Sequence, residues 1–317
     1  MNLVNKNEVI LSTPFKIILG GFGPPNTSFS KALKFIGDQI TNELKQEVEV
    51  EYIFNIMDLG YKSEDVIKLT EKGTLTISYQ SSSYLTNTVP ELGLVDLPFI
   101  FDNNEQARKN IDGELGKYLN NKIEEKMKFK ILGYFENGFR HISNKRNPII
   151  KPQDLNDMEI RILPSYIHKR TFDLLGSKPI KMDLVDAISK IVNGTIDAQE
   201  NPLANTVTYG VHKFHKYHTL SKHFYVSRFI MCNLEQYINW PENIKITVEK
   251  AIKNSIIFQR KEAEKETIDA YKTLIEHGCE IIDLNSEESN KFKEIVQPIY
   301  NEAKDLFKVD IFDLIKK

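Results

Sequence analysis

The chain has 317 residues, 41% hydrophobic and 27% charged, a composition that can bury two ordinary cores. Its 42 Lys and Arg against 44 Asp and Glu leave a net charge of −2, which gives no electrostatic ground for a nucleic-acid or acidic-membrane partner. No run approaches the roughly 18 apolar residues of a membrane span, and Cys232 and Cys279, without metal-type spacing, read as two free thiols with a disulfide left open.

Residues 15–20 are an apolar run ending in glycine, which predicts a buried strand. A Gly/Pro loop over 20–26 leads into a helix from Ser28, where Phe29, Leu33, Ile36, Ile40 and Leu44 keep helical spacing. Alternation over 48–54 predicts a second strand, 64–72 an amphipathic helix stopped by Gly73, and 75–79 a third strand. This β-α-β-α-β order implies a parallel sheet covered by helices. The order then restarts. Strands are expected at 129–135, at His141 and Ile142, at 160–163, at 179–182 and at 195–197, with helices over 166–175 and 184–192 stopped by Gly176 and Gly194. Two such units predict two α/β lobes rather than one large sheet. From 242 to 276 neither Gly nor Pro occurs, and Ile244, Val248, Ala251, Ile252, Ile256, Ala263 and Ile268 keep roughly helical spacing up to a stop at Gly278. Such a helix is about 50 Å long, longer than one lobe, so it runs across both or projects from them.

No GxSxG, GxGxxG, P-loop or HExxH pattern occurs. Ser81, Ser82 and Ser83 lack the glycine elbow of a nucleophilic serine and read as a polar loop at a strand end, where open α/β sheets place their ligand crevice. His212, His215 and His218, spaced by three, would share a helix face. No acidic or cysteine ligands stand beside them, so they read as a polar helix face and no metal is expected.

The arginines are more informative. Only seven occur, at 108, 140, 146, 161, 170, 228 and 260, so the chain uses Lys wherever a solvated charge suffices. Arg161 sits among apolar neighbours in the predicted strand at 160–163. A guanidinium there has a large desolvation cost unless an anion meets it. Its planar fork suits a carboxylate bidentately. The residues alone leave open whether that carboxylate belongs to a ligand or to an internal Asp or Glu.

The segment DLNDMEIRILPS at 154–165 resembles one found in the substrate-binding proteins of tripartite ATP-independent periplasmic (TRAP) transporters, of the dicarboxylate-binding-protein type. GSKPIKM at 176–182, GTIDAQENP at 194–202, NGFRHISN at 137–144, and Pro90-Glu91 followed by DLPF at 96–99 resemble further segments of that family in the same order. The likeness runs from about Phe15 to Phe307. It implies a two-lobed α/β solute-binding fold with the ligand cleft between lobes and the long helix shared by both. One lobe would comprise 15–138 and 227–266, the other 139–226 and 267–317, with the hinge at the crossings.

The resemblance also implies roles. Arg161 would hold the carboxylate of a small organic acid, Arg140 would add a second cationic contact, and Asn201 an amide contact. Tyr79, Ser81 and Tyr84 would contribute polar groups, and Phe22 or Asn26 would line the mouth. His223 would either reach the ligand or pack at the lobe crossing. Binding would proceed by hinge closure, without a cofactor, and the closed protein, a monomer, would dock on the transporter's membrane subunits. The expected location is the periplasm. Residues 1–12 carry no apolar signal-peptide core, and the signal peptide is expected to have been removed. Three positions depart from the family pattern: Asp157 and Ala198 replace glycines, and Leu184 replaces an aromatic that covers the substrate. Two other readings are weighed: a two-lobed enzyme using His223 or His141 as acid–base with Arg161 as anchor, and a ligand-sensing domain. The enzyme reading lacks a recognisable nucleophile–base–orienter set.

Overall fold

The structure, a computed structural model, describes residues 13–316; the expectation attached to 1–12 lies outside the described residues. β1 (Phe15–Gly20), α1 (Ser28–Leu44), β2 (Val48–Ile53), α2 (Asp65–Glu71) and β3 (Ile77–Ser81) form the first parallel unit. α1 starts at Thr27, whose side chain accepts from the Ser30 N–H and satisfies one of the unpaired amides of the first turn. Its buried face is Phe29, Leu33, Ile36, Ile40 and Leu44, the positions that the spacing predicts. Burying these five side chains contributes on the order of 10 kcal/mol before chain entropy is counted.

α3 (Asn104–Ile111) and α4 (Glu114–Met127) lead into β4 (Phe129–Asn144). The second parallel unit follows as β5 (Glu159–Ile162), α5 (Tyr166–Leu174), β6 (Lys178–Lys181), α6 (Leu184–Val192) and β7 (Ala198–Asn201), with α7 (Leu203–Thr208) after it. β8 (Tyr217–Asn233), α8 (Leu234–Asn239), α9 (Glu242–Glu276), β9 (Glu280–Ile282), α10 (Ser286–Val296), α11 (Pro298–Phe307) and α12 (Ile311–Leu314) complete the chain.

The strands form one hydrogen-bonded ladder in the order β2-β1-β3-β8-β4-β7-β5-β6, with β9 beside β8. Two lobes are still present, because the two parallel groups hang from opposite ends of a long antiparallel pair. β3 attaches to β8 at residues 228–231, whereas β7 attaches to β4 at residues 141–144. The β4–β8 register slips between Ile131 and Gly133, between Glu136 and Gly138, and between Arg140 and Ile142. Gly138, at the middle slip, has φ +92, a conformation that a side chain would strain. The expectation of separate sheets is therefore corrected, and so are the short strands at 129–135 and at His141 and Ile142, which are parts of one 16-residue strand.

α9 spans Glu242–Glu276 unbroken and touches α1 at one end and α7 at the other. Gln259, fully buried at its middle, accepts from the Glu136 N–H (2.8 Å) and donates to the Glu136 carbonyl (2.9 Å), fixing the helix to β4 beside the slip. Its buried stripe ends on Ala263, Ala270 and Leu274, while Ile268, expected inside, faces solvent. The stretch after α9 touches both halves: Arg170 of α5 pairs with Glu302 of α11 (2.8 Å), and Tyr300 donates to the Pro98 carbonyl (2.6 Å). The three spaced histidines do not share a helix. His212 lies in a 3-10 turn at Val211–Lys213, His215 in a loop, and His218 in β8. Cys232 and Cys279 are free thiols.

Candidate functional site

Between the two parallel units lies a cavity of about 20 Å³, lined by Phe22 and Ser81 from the first, Leu163, Leu184, Arg161, Asn201, Asn205 and Tyr209 from the second, Arg228 of β8, and Tyr84, Asn137 and Arg140. Larger depressions, of ≈ 700 and ≈ 710 Å³, open on the surface near Trp240 and near Arg108, but their walls hold no comparable convergence of buried cations.

Arg161 enters from β5 and is 1% exposed. Its Nε donates to the Met182 carbonyl (3.2 Å) and its Nη2 to the Tyr84 hydroxyl (3.4 Å). No carboxylate among the described residues pairs with it, so the internal ion pair left open by the sequence does not form. Asp157, which stands where the family has glycine, adopts φ +59. Aspartate tolerates this left-handed conformation, so the turn that aims β5 is kept. Burial pushes the Tyr84 and Tyr209 hydroxyls up, so both remain protonated donors.

Arg140 is the opposite case. Its guanidinium is ion-paired with Glu200 of β7, both side chains buried, and its Nη1 donates to Asn201 Oδ1 at 3.3 Å. Asn201 Oδ1 also accepts from Asn205 (3.0 Å), which in turn donates to Asn137 (3.0 Å). His168 lies 3.5 Å from Glu200 and 3.4 Å from Asp96. Burial works against charge on Glu200, but Arg140 and the two histidines His168 and His223 hold its carboxyl well below the usual range. Burial alone would lower His168, but Asp96 and Glu200 outweigh it and raise the imidazole. Arg140 therefore meets the cavity with its charge matched, Arg161 with its charge unmatched.

Of the residues expected at the site, Arg161, Arg140, Asn201, Leu184, Ser81, Tyr84 and Phe22 converge on this wall. Three do not. Tyr79 is fully buried one layer back, stacked on Phe29 with centroids 5.1 Å apart. Asn26 is exposed and borders a separate groove along α7 and α9. His223 packs edge-on against Phe172, with Nδ1 2.7 Å from Ser221 Oγ and Nε2 3.7 Å from Glu200. Its ring is not among the groups that line the cavity. Sequence reasoning missed Arg228, Asn137, Leu163, Asn205 and Tyr209. Arg228 was within reach, since it is one of only seven arginines and sits in an apolar strand just as Arg161 does.

The two halves also touch around the cavity. Ser63 Oγ donates to Asp183 Oδ2 (2.6 Å), Lys62 pairs with Asp186 (2.8 Å), Thr86 donates to the Pro164 carbonyl (3.0 Å) and Tyr209 to the Phe22 carbonyl (3.4 Å).

Two α/β units joined by crossing strands and spanned by a long helix, with a polar cavity between them, define a two-lobed solute-binding protein. Residues 19–305 match the model of the family described as bacterial extracellular solute-binding protein, family 7. The chain belongs to that family and is a binding protein of the TRAP type rather than an enzyme. Its structure is similar to that of a sugar acid binding protein of Advenella mimigardefordensis in complex with galactonate (TM-score 0.90, 28% identity, 95% of this chain and 97% of that one). It is also similar to a TRAP periplasmic solute-binding protein of Sulfurospirillum deleyianum with bound succinate (TM-score 0.89, 27% identity, 96% and 100%). In sequence it is 27% identical over 292 residues to the 2,3-diketo-L-gulonate-binding periplasmic protein YiaO of Escherichia coli (90% of this chain, 85% of that protein).

Proposed function

We propose that this protein binds a small organic acid anion in the periplasm, holds its carboxylate bidentately on Arg161, and delivers it to the membrane subunits of a TRAP transporter. The observation that carries this reading is a buried guanidinium, with no acidic partner among the described residues, on the wall of a cavity between two lobes. Such a group is stable when an anion supplies two parallel hydrogen bonds and the missing charge. The galactonate and succinate of similar structures are both acids, which supports the ligand class.

In this reading the lobes are 15–138 with 227–266 and 139–226 with 267–317. The register slip at Gly138 supports a hinge at those crossings. A ligand that touches both lobes favours the closed arrangement over the open one. The test is a thermal-shift screen of organic acids followed by calorimetry, because a ligand of the folded state raises stability by RT ln(1 + [L]/Kd). Stabilisation by acids and not by their neutral esters is the expected result. A panel in which no acid raises the melting temperature would overturn the reading.

A further inference from the structure

We propose that His168 is a buried proton-binding site that bridges the two lobes, so that closure on the ligand takes up a proton from solution. This rests on the lobe division and hinge closure proposed above. His168 lies in α5, in the second lobe, is fully buried, and stacks on Phe224 with ring centroids 4.0 Å apart and planes 17° from parallel. Each ring nitrogen is aimed at a different buried carboxylate. Nδ1 is 3.5 Å from Glu200 Oε1, in the same lobe, and Nε2 is 3.4 Å from Asp96 Oδ1, in the other lobe. Ser83 Oγ, just past β3, donates to that Asp96 oxygen (2.8 Å), while Asp96 Oδ2 has no partner among the described residues. Neither nitrogen of His168 is hydrogen-bonded to any other described group, so nothing else competes for its proton. A neutral imidazole has one N–H and one bare lone pair. Here the bare nitrogen would face a carboxylate in either tautomer; only the imidazolium offers a proton to both.

The charges around the ring call for the same proton. Glu200 is ion-paired with Arg140, which leaves His168 as the one group among the described residues that can supply Asp96 with a positive charge. A buried carboxylate without such a partner is costly. Burial works against a charged ring, but Asp96 and Glu200 outweigh it. His223 of β8 also approaches Glu200 (3.7 Å), but burial pushes its ring down and keeps it neutral. Of the charges on the helices packed against α5, Glu302 of α11 pairs with Arg170 and Lys293 of α10 lies over Phe99, so neither faces His168. When the lobes part, Asp96 leaves with the first lobe and water reaches the ring. The proton then has one acid fewer to hold it, and the remaining acid is already matched by Arg140. His168 therefore holds its proton more tightly in the closed arrangement, and by reciprocity its protonation favours closure.

The experiment is calorimetry with the tightest-binding acid of the screen, succinate and galactonate included, in phosphate, HEPES and Tris at about pH 7.8 and again at about pH 6. These buffers differ in ionisation enthalpy, so the slope of the apparent binding enthalpy against it counts the protons exchanged. Carboxylates and guanidinium groups do not titrate near pH 7.8, and burial pushes His141, His212, His215, His218 and His223 down, away from that pH. The expected result is an uptake of about 0.3 to 1 proton at the higher pH and much less at pH 6, where the open protein already holds it. Affinity is then about threefold or more weaker at pH 8.5 than at pH 6.5. His168→Gln and Asp96→Asn each remove the uptake, and neither residue lines the cavity, so the acid still binds. Histidine 15N spectra of the wild type need no variant: with acid bound, one ring of the seven stays imidazolium at about pH 7.8, and without acid it loses that proton. Binding with the same enthalpy in all three buffers, or an uptake that survives both substitutions, overturns the proton bridge and leaves the Arg161 reading intact. Failure of every acid to bind overturns the ligand reading, and this proposal with it.

Discussion

Arg140 and Glu200 are ion-paired across β4 and β7 with side chains 1% and 0% exposed, while Arg161, two strands further along the ladder, has no such partner among the described residues. The family resemblance assigns both arginines to the ligand, yet their energetics differ. A buried pair is costly to break from one side, because the surviving charge stays in the low-dielectric interior. Glu200→Gln is therefore expected to lower the stability of the unliganded protein by about 3–5 kcal/mol. At a chain of this size that is a fall of several degrees in melting temperature, read by calorimetry without ligand. A melting temperature unchanged by Glu200→Gln would mean that the pair does not hold the second lobe together.

Arg161→Lys and Arg161→Ala should behave in the reverse way. With no carboxylate to strand, neither change should destabilise the unliganded fold by more than about 1 kcal/mol. Ligand affinity should fall by about 2–5 kcal/mol, roughly thirtyfold to several-thousandfold, and Lys should not rescue it, since an ammonium cannot form two parallel bonds. Side-by-side melts and titrations decide the matter. Intact binding with a collapsed melting temperature would show that Arg161 is structural.

The contrast marks how far the sequence could be read. Arg161, β5 and the helix over Glu242–Glu276 were legible because an isolated Arg in an apolar run and an unbroken 3.6-residue period are local signals. The pairing of Arg140 with Glu200 was not, since the residues are 60 apart and meet only through the β4–β7 ladder. β7 was misplaced by three residues for a related reason. Its Gln199, Glu200 and Asn201 are polar and carry no local strand signal, but each is buried with hydrogen-bond partners from elsewhere in the chain. The continuous ladder was hidden for the same cause: β4 and β8 are interrupted by Gly133, Gly138 and bulges, which look like strand ends in one dimension.

Acid sensitivity should appear above the carboxylate range. His141 and His215 are pushed down to about 3 and His218 to about 4, in each case chiefly by burial. Unfolded, each ring takes up a proton near pH 6.5; folded, it resists until pH 3 to 4. The unfolded chain thus binds more protons in between, so stability is complete above pH 6.5 and falls as pH drops toward 4. Each ring held neutral contributes a slope of about 1.4 kcal/mol per pH unit. His168 has the opposite shift, raised by Asp96 and Glu200 against its burial. Its contribution is complete below pH 6.5 and is lost as pH rises through its folded value, so it does not offset the acid-side loss. Melts from pH 7.5 to 4.5 should show the decline. A flat profile from pH 7 to 5 would contradict neutral burial of these rings.

The contact between Ser63 and Asp183 offers a way to change affinity while leaving the cavity arginines in place. Ser63 Oγ donates to Asp183 Oδ2 at 2.6 Å, and both residues are buried where the loop before α2 meets the start of α6. Asp183 also accepts from the Val185 N–H, capping α6, and from the Glu64 N–H. Replacing Asp183 would therefore confound a lost cap with a lost interlobe contact, whereas Ser63→Ala removes one hydroxyl, whose other neighbour is the Tyr84 hydroxyl at 3.3 Å. A hydrogen bond to a charged acceptor contributes about 1.5–3 kcal/mol. If the bond exists only when the lobes are together, that amount is lost from the closed arrangement alone. Affinity for the acid should then fall roughly tenfold to a hundredfold, because the binding-competent population shrinks. Within its lobe Ser63→Ala loses only the 3.3 Å contact with the Tyr84 hydroxyl, so the melting temperature measured without ligand should stay within about 2 °C of the wild type. Small-angle scattering should show a larger radius of gyration for Ser63→Ala than for the wild type at a subsaturating acid concentration. Equal affinity in the two proteins would mean that this contact persists in the open arrangement and does not govern closure.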